Sequence, residues 1–80
     1  MFPYFEMHMT TLAPGFRSHP PHTHEAEELI IMVEGRTEEE IGNLTYQGTR
    51  GDIYYLGGNV PHGIKNIGKN SCTYFAFQWQ

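Results

Sequence analysis

The sequence predicts an all-β fold, a small antiparallel barrel or sandwich. Three observations carry this. No segment of ten or more residues shows the 3.6-residue apolar periodicity of a helix. Short runs rich in β-branched and aromatic residues alternate instead with clusters of Gly, Pro and Asn. Those clusters recur every eight to twelve residues, the turn spacing of sandwiches and barrels.

Each run in order has its own warrant. Phe5 to Leu12 is the first strand, closed by Pro14-Gly15. "ELIIMVEG", Glu28 to Gly35, is the strongest. "RTEEEI" and "LTYQ" flank Gly42-Asn43, a tight hairpin turn. "DIYYL", Asp52 to Leu56, leads into the turn-rich "GGNVP". "HGIKNI" and "CTYFAFQW" complete the set. No linker, repeat or low-complexity tract interrupts them, and 80 residues suit a single domain spanning 1–80.

Parity within the strongest strand adds a second expectation. Glu28, Ile30, Met32 and Glu34 share one face, while Leu29, Ile31 and Val33 share the other. Both faces are largely apolar, so both need cover. A homodimer would provide it; so would a two-sheet sandwich.

Size and composition narrow the function classes. A chain this short buries only about 60% of its unfolded surface and is marginal alone. Cys72 is the only cysteine, so no disulfide can form within the chain. A metal, a partner subunit or both must help. The net charge of −4 gives no electrostatic footprint for nucleic acid or an anionic membrane. No apolar run reaches the roughly 20 residues of a membrane span. The opening "MFPYFEMHMTTL" lacks the pattern of a secretory signal, and with the lone cysteine it points to the cytoplasm.

"SHPPHTHEAEE" carries the chemistry. His22 and His24 are two apart, and on an extended segment they point the same way, roughly 7 Å apart at Cα. Glu28 opens the apolar strand, where a carboxylate is costly unless paired or bound to a metal. Two imidazoles and a carboxylate would place N, N and O ligands around a first-row divalent ion. Pro20-Pro21 stiffens the approach. The alternative is a solvated polar loop. His62, after the glycine-rich turn, is the candidate fourth ligand. His19 reads as a loop side chain and His8 as structural. Glu38 to Glu40 read as a wet strand face. If the face of Thr37 and Ile41 turns inward, however, Glu39 becomes a buried carboxylate and a possible acid–base group. The closing "YFAFQW" sets Tyr74, Ala76 and Gln78 against Phe75, Phe77 and Trp79, with neither set assigned to the interior. Arg17, Tyr54 and Lys65 are candidate anchors for an anionic substrate.

Two stretches together resemble the cupin family. "GFRSHPPHTHEAEELIIMVEG" supplies Gly15, His22, His24, Glu28 and Gly35 in the order of the first family motif, with a spacer one residue longer than usual. "GDIYYLGGNVPHGIKN" supplies Gly51, His62 and Asn66 of the second. Gly57 stands where that motif has proline, and Asn59 where it has glycine. The resemblance covers Gly15 to Asn66 and implies a small antiparallel β-barrel, the double-stranded β-helix or jelly roll. It implies His22, His24, Glu28 and His62 as a metal set for one divalent transition ion, iron, manganese, nickel, zinc or copper.

The function so implied is that of a metal-dependent enzyme, a dioxygenase, isomerase or lyase of a small organic molecule such as a sugar, keto acid or phenolic compound. The alternatives are a non-catalytic ligand-binding or sensory domain and a purely structural metal. Fold alone does not choose among them.

Overall fold

In the computed structural model, which describes residues 4–18 and 25–80, every element is a β-strand. The strands are β1 (Phe5–Leu12), β2 (Glu27–Glu34), β3 (Arg36–Ile41), β4 (Leu44–Thr49), β5 (Ile53–Leu56), β6 (His62–Asn66) and β7 (Cys72–Trp79). They form two antiparallel sheets, one ordered β1-β7-β2-β5 and the other β4-β3-β6. The seven expected strands are all present. The largest difference is β4, which runs past Gln47 to pair Gly48 with Thr37 and Thr49 with Arg36.

Alternation sorts each strand between core and surface. Along β2, Glu28, Ile30 and Met32 are buried and their neighbours are not. Ile30 sits beside Tyr54 of β5 and Ala76 of β7, and Met32 beside Tyr74. With Leu56, Ile64 and Cys72 these residues make one core between the sheets. The closing strand is thereby oriented: Tyr74 and Ala76 face in, while Phe75, Phe77 and Trp79 are half-buried on the outside.

Close approach to the backbone or core requires glycine at Gly35 and Gly58. Gly35 follows β2 with φ +87°, and a Cβ there would stand 2.6 Å from Cys72 Cβ. Gly58 lies against the Glu25 carbonyl oxygen, which a Cβ would overlap. That second contact packs the turn before β6 onto the chain entering β2. The left-handed residue of this turn is Asn59, φ 62°. Asn tolerates that region better than other side chains, which explains how it serves where a glycine was expected.

Asn66 is buried and closes three loose ends. Its Nδ2 donates to the Leu12 and Asn70 carbonyls, both at 2.9 Å, and its Oδ1 accepts from the Gly68 N–H at 2.8 Å. It ties β1 and the β6–β7 loop to β6, a structural duty. Cys72 is free and buried in the core.

Candidate metal and ligand site

Glu28 and His62 come from opposite sheets and meet. Glu28 heads β2, held in register by Leu56 on one side and Gln78 on the other. His62 opens β6 opposite Ile41. Its position is fixed by the hairpin turn of β3 and β4, whose Gly42 N–H donates to the Pro61 carbonyl at 2.8 Å. His62 Nε2 lies 3.2 Å from Glu28 Oε1, with the two residues 3% and 7% exposed. Thus the sheet registers bring into contact two side chains that are 34 positions apart in the chain.

The imidazole is oriented as well as placed. His62 Nδ1 lies 3.0 Å from the Val60 carbonyl. A carbonyl only accepts, so Nδ1 carries the proton and Nε2 is turned to the carboxylate. In a neutral imidazole with that tautomer, Nε2 is itself an acceptor. Two acceptors at 3.2 Å require something positive between or upon them, a proton or a cation. The proton affinity reflects this. Burial, the largest influence, favours neutral His62, but the Glu28 hydrogen bond, the Val60 carbonyl and the charges of Glu28 and Glu39 together raise its pKa.

His22 and His24 lie outside the described residues, as does His19. Among the described residues no three His, Cys, Asp or Glu side chains are grouped closely enough to hold an ion. The described half of the expected ligand set is therefore the pair Glu28 and His62. Its chemistry fits a first-row divalent cation: one imidazole nitrogen whose other nitrogen is fixed by a carbonyl, and one buried carboxylate.

The pair opens on a cavity of about 400 Å³ between the sheets. Its apolar lining is Leu12, Ile30 and Ile64, and its hydroxyls are Thr10, Ser18 and Tyr74. Burial raises the Tyr74 pKa, opposed by hydrogen bonds from Ser18 and Thr10. His8 and Gln78 also line it, so His8 belongs to the pocket rather than to the framework alone. Its partner register with inward Ala76 was the signal that sequence reasoning lacked.

Glu39 lines the same cavity and is 0% exposed. The glutamate run is a wet face only at Glu38 and Glu40; the face of Thr37 and Ile41 does turn inward. Burial lifts the Glu39 carboxyl to about 8, with Glu28 and Glu40 adding to the rise and His62 and the Gly63 N–H opposing it. Neither carboxyl oxygen has a well-formed hydrogen bond, that to Gly63 included.

The expected anionic-substrate anchors are not at this site. Tyr54 is buried, with its hydroxyl 3.0 Å from Thr37 Oγ1, and Arg17 and Lys65 form a backbone bridge. None of the three lines the cavity.

The cupin-domain family model matches residues 8–77. The chain belongs to the cupin family. Solved cupin structures superpose closely on it. A Cupin 2 conserved barrel domain protein from Salinispora arenicola is 28% identical, with a TM-score of 0.86 over 95% of this chain and 63% of that one. The cupin domain of Schizosaccharomyces pombe Cnp3 is 16% identical, with a TM-score of 0.91 over 98% of this chain and 54% of that one. An RmlC-like cupin with a double-stranded β-helix fold from Methanocaldococcus jannaschii is 20% identical, with a TM-score of 0.86 over 94% of this chain and 69% of that one. The chain thus spans less than two thirds of the first two. No curated protein sequence matches it. The fold is the cupin double-stranded β-helix. Among the described residues, no helix is long and apolar enough to cross a membrane.

Proposed function

We propose that this cupin is a metal-dependent enzyme acting on a small organic molecule, with His22, His24, Glu28 and His62 as its ligand set. One observation carries the reading: the buried Glu28 carboxylate and the oriented His62 Nε2, 3.2 Å apart at a cavity of about 400 Å³. A divalent ion there would act as a Lewis acid, polarising a carbonyl or lowering the pKa of a bound hydroxyl. The chain's own groups do the rest. Val60 fixes the His62 tautomer, Leu12, Ile30 and Ile64 exclude water, and the Thr10, Ser18 and Tyr74 hydroxyls orient the ligand. The open cavity favours a ligand-handling role over a purely structural ion, because a structural site needs no such space. A non-catalytic sensor would share this geometry and differ only in lacking turnover. The buried thiol of Cys72 is in keeping with a cytoplasmic location.

The deciding measurement is elemental analysis of protein purified without an affinity metal, beside the His22→Ala/His24→Ala variant. About one ion per chain is expected in the first and a large loss in the second. Equal metal in both would remove the site.

We infer further that two copies pair through the outer face of the β1-β7-β2-β5 sheet. Phe5, Met9 and Ile53 there are 60%, 62% and 59% exposed, beside Met7 and Tyr55. Phe75 and Phe77 join them across β7. Four strands of up to eight residues give a face on the order of 500 Å² in projection. That approaches one side of a standard interface, about 800 Å² of accessible surface. Methionine and aromatic side chains are also the types enriched in such interfaces. A twofold axis would set the face against itself.

A further inference from the structure

The cavity has one wall group that the proposed ion leaves unused. Glu39 sits in the middle of β3, opposite Ile64 and two pairs along from Ile41 and His62. Thr37, its inward neighbour, is engaged by the Tyr54 hydroxyl at 3.0 Å and by Met32 Sδ at 3.2 Å. Glu39 itself is fully buried and lines the cavity, and neither carboxyl oxygen has a well-formed hydrogen bond among the described residues. An apolar residue of similar volume would avoid that cost, so the carboxyl has a use other than packing. The cavity offers it no matching charge. Among the described residues no Lys or Arg lines it, His62 is turned to Glu28, and His8 is exposed and lies 3.4 Å from Glu6. A buried carboxyl with neither a good hydrogen bond nor a cation holds its proton. Burial accordingly lifts this one to about 8, with Glu28 and Glu40 adding to the rise and His62 and the Gly63 N–H opposing it. A protonated carboxyl is a hydrogen-bond donor.

We propose that Glu39 is the hydrogen-bond donor for a small 2-oxo acid, meeting an oxygen of the ligand that has no proton of its own. This rests on the metal-dependent reading above and narrows it, from sugars, keto acids and phenolics to keto acids. The match is one of donors to acceptors. The carboxylate and carbonyl oxygens of a 2-oxo acid only accept. The groups lining the cavity can give: the Glu39 carboxyl, the Thr10, Ser18 and Tyr74 hydroxyls and the Gln78 amide. A hydrogen bond from a neutral carboxyl to a carboxylate is charge-assisted and belongs to the strong kind. Charge points to the same class. A divalent ion held by neutral imidazoles and the Glu28 carboxylate keeps one positive charge, which attracts one anionic group. A single ligand carboxylate balances it. A further charge on Glu39 would then be uncompensated in a buried site, so the carboxyl keeps its proton beside the bound anion. Leu12, Ile30 and Ile64 cover the carbon chain, and a cavity of about 400 Å³ suits one small molecule.

The test uses the full chain, with pyruvate as the probe. Calorimetry at neutral pH gives pyruvate affinities for the wild type, Glu39→Gln and Glu39→Met, with the metal content measured on each. Glu39→Gln keeps a donor of nearly the same shape and should bind pyruvate within about threefold of the wild type. Glu39→Met has no donor and should lose about tenfold or more, at unchanged metal content. Infrared difference spectra add a readout that needs no apolar variant. The carboxyl C=O band of Glu39, identified by its loss in Glu39→Gln, should be present in the free wild type and move when carbon-13-labelled pyruvate binds. The proposal is overturned if the metal-loaded wild type binds no pyruvate, if Glu39→Met binds it as well as the wild type, or if the carboxyl band is missing or stays put. It is overturned equally if Glu39→Gln binds about tenfold tighter, as it would were Glu39 ionised and repelling the anion, or about tenfold weaker. Failure of the metal reading shows separately, in the metal content. A metal-free chain whose pyruvate binding still falls in Glu39→Met keeps the Glu39 assignment and loses the ion. A metal-free chain that binds no pyruvate loses both.

Discussion

Glu39→Gln should stabilise the metal-free protein, and by an amount that depends on pH. Burial lifts the Glu39 carboxyl from 4.5 to about 8, with the nearby Glu28 and Glu40 adding to the rise and His62 and Gly63 opposing it. The folded value lies above the unfolded one, so the folded chain holds a proton that the unfolded chain releases. Stability is then present in full below pH 4.5 and is lost as pH rises towards 8. The loss reaches roughly 3 kcal/mol at pH 7 and tends to a ceiling of roughly 5 kcal/mol above pH 8. Glutamine cannot ionise and escapes it. Urea unfolding with a chelator, at one protein concentration, measures the difference. The variant should gain up to about 3 kcal/mol at pH 7 and under about 0.5 kcal/mol at pH 4.5. A buried amide and a buried protonated carboxyl differ little, which makes the acidic point an internal control. A gain of equal size at both pH values would refute the reasoning, as would no gain at pH 7.

Two more outcomes follow from the same geometry. Glu28→Gln removes the charge and weakens the hydrogen bond that raise His62, so the His62 pKa should fall; an NMR titration of its ring Cε1–H in metal-free protein would read this, and an unchanged value would contradict the observed contact. In the wild type the raised value means that this pair stabilises fully below about pH 6.5, with the benefit lost as pH rises through the folded value. On the outer sheet face, Met9→Lys should convert a dimer to a monomer in light scattering while changing monomer stability by no more than about 0.5 kcal/mol, as for exposed sites generally. A wild type already monomeric at micromolar concentration would dispose of the pairing.

Strand positions were legible because they rest on local chemistry. Gly42-Asn43 between two β-rich runs can hardly be anything but a hairpin, and β3 and β4 meet there with Ile41 opposite Leu44. Parity in β2 correctly put Glu28, Ile30 and Met32 on one face. It also raised the question of cover on the other, and within one chain that face stays largely open. What the sequence withheld is the register between strands distant in the chain. Whether Glu39 faces a cavity or water depends on its pairing with Ile64, which nothing in "RTEEEI" encodes. His8 reads as structural in the sequence for the same reason: its place on the pocket comes from pairing with Ala76, 68 positions away. The closing strand was symmetrical by composition until Tyr74 and Ala76 met the inward side of β2.

The cost of the site is itself an argument for its use. A chain of 80 residues has little stability to spare. Yet its interior holds Glu28, Glu39 and His62 around open space, where Leu12, Ile30 and Ile64 show that apolar packing was available. Filling the cavity with aliphatic side chains would remove desolvation costs and add dispersion contacts. Natural proteins give up stability in this way where a polar constellation has to be kept open. The three groups also differ in a manner that divides labour. His62 is oriented by Val60 and joined to Glu28, which suits a shared cation, whereas the Glu39 oxygens are left unmet. A single purely structural ion would account for the pair but would leave the Glu39 carboxyl and the cavity beside it without a purpose. A small ligand bound beside such an ion would account for all three.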